Sequence, residues 1–254
     1  EYFGKLLDYF DNNNLWEDTA LILTTDHGFL LGEHDWWAKN RMPVYNEISH
    51  IPLMIYHPGH SKLSGSRIES LTQTIDIMPT FLDLFNLNIP NDVSGKSLLD
   101  ILQNDQQIRK ALIYGYFGAA CNITDGKHTY FRYPKKMSAS GLHEYTLMPT
   151  RMTSRFSIRE LSEMTLSNPF KFSKGLQLLK VKPKVSETNE PLEVQGMTFE
   201  DIGSQLFDIS IDKEQKFPID DPEVIKFLLE EMVELMNQAD APKELFERLN
   251  LKCN

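Results

Sequence analysis

The residues best suited to chemistry lie in one run: Thr24-Thr25-Asp26-His27-Gly28-Phe29-Leu30-Leu31-Gly32-Glu33-His34-Asp35-Trp36-Trp37-Ala38-Lys39. Asp26 and His27 are adjacent and stand where an apolar segment, residues 20–25, stops. Neighbouring side chains on a strand diverge, but a turn at Gly28 lets a carboxylate oxygen and an imidazole nitrogen reach one cation. Such a pair suits zinc, manganese or iron, whereas a mostly carboxylate site favours calcium or magnesium. Two ligands do not complete a site, so at least two more must come from elsewhere. Lys39 lies twelve residues beyond His27. A lysine returning to the metal would hold a tetrahedral oxyanion by point-charge attraction. Taken singly, each feature has a plainer reading: an aspartate capping a turn at a strand end, and a lysine in solvent.

Periodicity supplies the scaffold these residues need. Tyr2, Phe3, Leu6, Leu7 and Phe10 recur at near 3-to-4 spacing, as in an amphipathic helix that Asn12-Asn13-Asn14 ends. Residues 20–25 and 51–56 are apolar runs short enough to be buried strands, the second closed by Pro58-Gly59. Helix, buried strand, long loop and buried strand predict a parallel α/β sheet, with ligands at the C-terminal ends of its strands. Residues 74–87 read as a helix with Asp76 near its start, and 97–102 as a shorter one. Beyond residue 110 the segments 111–117, 127–133, 144–148 and 205–209 are short and aromatic, which suits antiparallel pairing. An amphipathic helix over about 222–237 and a short one after Pro242 close the chain. The expected class is α/β: residues 1–110 as part of a mostly parallel α/β/α sandwich, and 111–254 as a C-terminal α+β subdomain with a small antiparallel sheet and a packed helix.

Composition narrows the function. With 254 residues, 41% hydrophobic and 24% charged, the chain is long enough to bury a sizeable core and is neither collagen-like nor disordered. No stretch approaches the ~20 apolar residues of a membrane span. The start, Glu-Tyr-Phe-Gly-Lys, lacks the parts of a signal peptide. For a chain cut from something longer that leaves the compartment open. A net charge of −10 argues against a general nucleic-acid binder. The charge is uneven: −5 over residues 1–150, +6 over 151–184 and −11 over 185–254. The basic stretch, from Arg151, Arg155 and Arg159 to Lys180, Lys182 and Lys184, is either a solvated surface loop or helix or a lid that meets an anionic substrate or an acidic neighbour. Cys121 and Cys253 form no C-x-x-C pair and read as free thiols. Asn122-Ile123-Thr124 has the form of a glycosylation sequon, which matters only in a secreted protein.

In order along the chain stand Thr24-Thr25-Asp26-His27-Gly28, Leu31-Gly32-Glu33-His34, Lys39, Tyr45-Asn46-Glu47 and Ile51-Pro52-Leu53 before Pro58-Gly59. Asp76-Ile77-Met78-Pro79-Thr80, Gly95-Lys96-Ser97-Leu98, Asp125 to Arg132 and Gln205-Leu206-Phe207-Asp208-Ile209 follow. This series resembles the C-terminal half of the sulfatase family in the alkaline-phosphatase superfamily. The resemblance implies that Asp26 and His27 are metal ligands and that Lys39 contacts the sulfate and the leaving oxygen. It implies for His34 either a loop-supporting or a substrate-contacting place, and leaves Glu47 and Asp76 structural. The family's C/S-x-P/A-x-R nucleophile motif and its early Asp-Asp pair are not in this sequence, since Cys121 precedes Asn-Ile-Thr. The implied protein is thus completed by an N-terminal half that carries a formylglycine and the other ligands of a divalent metal. That metal is calcium for a sulfatase, or manganese or zinc for a phospho-hydrolase. The implied substrate is a sulfated small molecule or carbohydrate, with this chain inactive by itself. A phosphonate or phosphodiester hydrolase of the same superfamily, or a non-catalytic remnant or binding module, are the alternatives.

Overall fold

The computed structural model describes residues 1–39, 43–104, 107–134, 141–151, 154–182 and 203–252. Lys184 and Cys253, singled out above, lie outside the described residues. The chain divides into two units. One holds Glu1–Lys39, Asn46–Asn88 and Gly95–Arg109; the other holds Asn40–Tyr45, Ile89–Ser94 and Lys110–Asn254.

In the first unit helix α1 (Tyr2–Asn12) buries Phe10, whose ring lies 4.7 Å from that of Trp16. Trp16 in turn meets Tyr56 edge-on at 4.7 Å, and the Tyr56 hydroxyl donates to the Trp16 carbonyl at 2.6 Å. Asn14, in the left-handed region at φ 55°, turns the chain out of the helix. Strand β1 (Leu21–Thr24) leads to a small hairpin of β2 (Leu30–Leu31) and β3 (Trp37–Ala38), then helix α2 (Asn46–Ser49) and strand β4 (Leu53–Tyr56). β1 and β4 pair with each other antiparallel, from Leu21 opposite Tyr56 to Thr24 opposite Leu53, which corrects the parallel relation expected for these two segments. A parallel pair needs a crossover that carries the chain back along the strand. Here the connection stays at the end of β1, as a hairpin and a single helical turn, and β4 leaves from that end.

The motifs around residues 76 and 96 form one latch. A 3-10 turn (Thr74–Asp76) runs into helix α3 (Ile77–Leu84), and the Asp76 carboxylate is fully buried. It accepts from the Gln73 and Lys96 backbone N–H groups at 2.7 and 2.9 Å, and from both Arg109 terminal nitrogens at 2.7 Å. Thr80 links the same pieces, donating to the Asp76 carbonyl at 2.6 Å and accepting from the Leu98 N–H at 3.0 Å. Gly95 has no alternative there: a Cβ would lie 2.0 Å from the Ile75 carbonyl oxygen. Helix α4 (Leu99–Asn104) follows.

The second unit is built on a four-stranded antiparallel sheet. Its strands are β5 (Leu112–Gly115), β6 (Cys121–Thr124), β7 (His128–Arg132) and β11 (Gln205–Asp208), in the order β11-β7-β6-β5. Alternation sorts its faces. Ile123, Tyr130 and Leu206 meet Leu228, Met232 and Met236 of helix α6 (Pro222–Gln238) and Phe246 of helix α7 (Lys243–Arg248). Phe131 and Phe207 pack on the other face with Ala119, Ala120 and Tyr133. Asp221 caps α6 through the N–H groups of Glu223 and Val224, at 3.1 Å each, with Pro222 at the first helical position. A three-stranded sheet, β8 (Glu144–Thr146), β10 (Leu179–Val181) and β9 (Thr165–Leu166), carries short helix α5 (Ile158–Ser162) on its connection.

Three sequence features resolve here into structure. Arg151, Arg159, Lys171, Lys174, Lys180 and Lys182 of the basic stretch each meet a carboxylate within 4.0 Å, so its positive charge is largely matched within the unit. Asn122 is fully buried on β6 with its amide on the Val44 carbonyl, so the folded sequon is closed to glycosylation. Cys121 beside it is a free thiol that burial pushes up to about 12, too inert for a nucleophile.

Candidate active site

Thr24 ends β1, and the next three residues turn away from the sheet. Gly28 makes that turn possible. Its N–H donates to the Ile48 carbonyl at 2.8 Å, Phe29 N–H donates to the Glu47 carbonyl at 3.1 Å, and a Cβ on Gly28 would lie 1.8 Å from the Glu47 oxygen. The backbone of α2 is thus pressed against the D-H-G turn, which only glycine allows.

That turn aims Asp26 and His27 at one point. Asp26 Oδ1 accepts from the His27 N–H at 2.9 Å and the Thr25 hydroxyl at 3.3 Å, leaving Oδ2 turned towards His27 Nε2 at 3.2 Å. The other ring nitrogen, Nδ1, is 2.9 Å from the Gly28 carbonyl, an acceptor, which places the proton on Nδ1 and the lone pair on Nε2. Two acceptors facing each other need a cation between or beside them. The Lys39 ammonium serves, with Nζ 2.6 Å from Nε2. Partial desolvation works against ionisation of Asp26, but the His27 N–H, the His27 ring and the Thr25 hydroxyl outweigh it and hold the carboxyl below its ordinary value. The carboxylate is therefore charged at neutral pH and open to solvent.

This donor set fits a divalent cation in part. A carboxylate oxygen and a neutral imidazole lone pair converge, and the second ring nitrogen is fixed by a carbonyl, the usual support of a metal-bound histidine. Among the described residues no group of three or more His, Cys, Asp or Glu side chains could hold a metal ion. Asp26 and His27 thus offer two of the donors that such a cation would need.

Of the four residues read from the sequence, Asp26, His27 and Lys39 come together. His34 is held elsewhere in the same unit, with Nε2 3.6 Å from Glu47 Oε2 and both side chains largely buried. His34 sits at the hairpin tip in the left-handed region, at φ 53°. Glu47 therefore supports the D-H-G turn through its carbonyl, while its carboxylate lies near His34 of the hairpin that precedes Lys39. The sequence signals Glu47 only as part of Tyr45-Asn46-Glu47. Arg109, which holds the Asp76 latch, has no sequence signal, because its partner is 33 residues away.

Comparison with solved structures identifies the fold. The chain aligns over 95% of its length with 39% of a solved protein in complex with its substrate D-glucosamine-2-N,6-O-disulfate, at 20% identity and a TM-score of 0.54. The likeness shows a shared mixed α/β fold. Sequence comparison is narrower. Residues 32–148 match the family model of the N-sulphoglucosamine sulphohydrolase C-terminal region. An N-acetylglucosamine-6-O-sulfatase of Bacteroides thetaiotaomicron is 28% identical over 211 residues, 78% of this chain and 36% of that protein. The multifunctional alkaline phosphatase superfamily protein PehA of Trinickia caryophylli is 37% identical over 100 residues, 39% of this chain and 19% of that protein. The chain is thus similar to the C-terminal portion of sulfatases, and it spans about a third or less of the length of these curated relatives.

Proposed function

We propose that the chain is the C-terminal part of a sulfuric ester hydrolase that acts on a sulfated small molecule or carbohydrate. Asp26 and His27 supply two ligands to a divalent cation, calcium in this reading, whose Lewis acidity favours attack at the sulfate. The remaining ligands and the covalent nucleophile, a formylglycine, belong to an N-terminal half of the same polypeptide. Lys39 places its ammonium where the transferring group and the leaving oxygen gather negative charge. His34 and Glu47 hold the hairpin and the turn in register so that Lys39 and His27 meet. The observation that carries this reading is the convergence of the Asp26 carboxylate, the His27 Nε2 lone pair and the Lys39 ammonium at the end of β1.

Sulfate and phosphate esters are both tetrahedral and differ chiefly in charge, and the likeness to a multifunctional superfamily member keeps a phosphonate or phosphodiester hydrolase, with manganese or zinc, as the second reading. The test is to load the complete polypeptide with calcium, manganese or zinc in turn and measure hydrolysis of a sulfate ester beside a phosphodiester. Sulfate hydrolysis that dominates with calcium supports the first reading. Faster phosphodiester hydrolysis with manganese or zinc replaces it with the second. A metal-free protein with neither activity makes the chain a binding module.

A further inference from the structure

We propose that the outer face of the β2–β3 hairpin is a stacking platform for the pyranose ring of a sulfated saccharide, with Trp37 as its specificity-determining residue. This rests on the sulfuric-ester reading above and extends it from the sulfate to the carbon skeleton. The hairpin has two unlike faces. Leu30 points inward and is fully buried, while its neighbours Phe29, Leu31 and Trp37 are 43%, 61% and 66% exposed. These three side chains form one patch: Leu31 is the cross-strand partner of Trp37, and the Phe29 ring meets Trp37 edge-on with centroids 6.3 Å apart. A contiguous exposed apolar patch beside a charged site marks a place where a ligand loses water.

The patch is built in advance of any ligand. Gly32 N–H donates to the Trp36 carbonyl at 3.0 Å, and the Glu33 carboxylate accepts from Leu31 N–H at 2.5 Å, so the strands that carry both rings are tied at the tip. Phe29 braces the edge of the indole. An aromatic side chain fixed this way gives up little entropy when it binds. Its position suits an amphipathic ligand. Trp37 is two residues before Lys39, which puts their Cα atoms within ~7 Å, and the Lys39 ammonium is at the His27 ring. A molecule with an anionic ester at one end and the apolar C–H face of a sugar ring at the other matches that order of cation and indole.

The test uses the complete polypeptide with Trp37→Ala and Trp37→Phe. Calorimetry measures binding of glucosamine 6-sulfate and of inorganic sulfate, which carries the anion and no ring. The platform predicts that Trp37→Ala weakens glucosamine 6-sulfate binding on the order of tenfold, leaves inorganic sulfate binding and the melting temperature unchanged, and that Trp37→Phe recovers most of the loss. Where turnover is measurable, KM rises with kcat unchanged. Unchanged saccharide binding, or an equal loss for saccharide and inorganic sulfate, overturns the platform. So does a lowered melting temperature in Trp37→Ala, which would mean that protein covers the patch. Saccharide binding that depends on Trp37 in a polypeptide with no sulfate-ester turnover would sink the hydrolase reading and leave the platform standing.

Discussion

The Lys39 ammonium meets His27 Nε2 because the Gly28 carbonyl faces the other ring nitrogen, so the tautomer is decided by one backbone atom. Replacing Lys39 with alanine removes charge stabilisation without touching the core. We expect sulfate-ester turnover of the complete polypeptide to fall about 100-fold to 1000-fold, with the melting temperature unchanged; turnover within a few-fold of the parent would remove Lys39 from the site. In the second unit, Glu244 takes hydrogen bonds from His143 Nδ1 at 3.1 Å and from the Tyr145 hydroxyl, and pairs with Lys180 at 2.8 Å. Burial opposes its ionisation, but Lys180 and Tyr145 prevail and hold the carboxyl down at about 2, against 4.5 for a free glutamate. A carboxyl lowered on folding stabilises the native state above its unfolded pKa, and that contribution is lost as pH falls from 4.5 to about 2. Glu244→Gln should therefore flatten the acid limb of stability in that window, checked by denaturant melts at several pH values; an unchanged limb would mean that Glu244 carries none of it. Asp26, His27 and Lys39 were legible in the sequence as types at a spacing. Their contact was not, because it depends on where the chain goes between residues 28 and 39.

At the scale of elements, two glycines decide whether separate segments meet. Gly28 lets α2 lie against the D-H-G turn, and Gly95 lets the segment before α4 lie against the turn that starts α3. In the complete polypeptide Gly28→Ala should cost about 3 kcal/mol, since the new Cβ meets backbone. Gly4→Ala on α1, where a Cβ meets nothing within 4 Å, should be neutral or stabilising. Equal thermal melts for the two variants would refute that account of Gly28. The Asp76 latch makes a parallel prediction. Arg109→Ala leaves a fully buried carboxylate with backbone N–H groups alone, which should destabilise by about 3–5 kcal/mol. A double variant with Asp76→Ala that recovers part of the loss in a melt would confirm the pair. Helices α1 and α6 were legible because their apolar spacing and end residues are local. The antiparallel relation of β1 and β4 was not: strand direction follows from the connection between them, and both directions demand the same apolar run.

For the whole molecule, both units leave large apolar side chains exposed, Ile158 and Ile211 of the second among them. In the second unit both faces of the four-stranded sheet are packed. In the first, Tyr2 and Tyr9 of α1, Met54 of β4 and Phe85 after α3 are 59–81% exposed, side chains that a covering partner would bury. With the N-terminal half proposed above as that partner, residues 1–254 made alone should bind the dye ANS strongly and self-associate, and the complete polypeptide should not. A dye-silent monomer of 254 residues would instead favour the binding-module reading. The amino-acid sequence by itself determined the α/β class, the family likeness and the pairing of an acidic residue with a histidine at a strand end, because these reside in local pattern and in motif order. Only the tertiary structure decided that Lys39 reaches His27, that Glu47 lies beside His34, that Arg109 closes on Asp76 and that Asn122 is sealed in a sheet. Those contacts join residues 12 to 78 positions apart, and such distances close only when the backbone between them has taken its path.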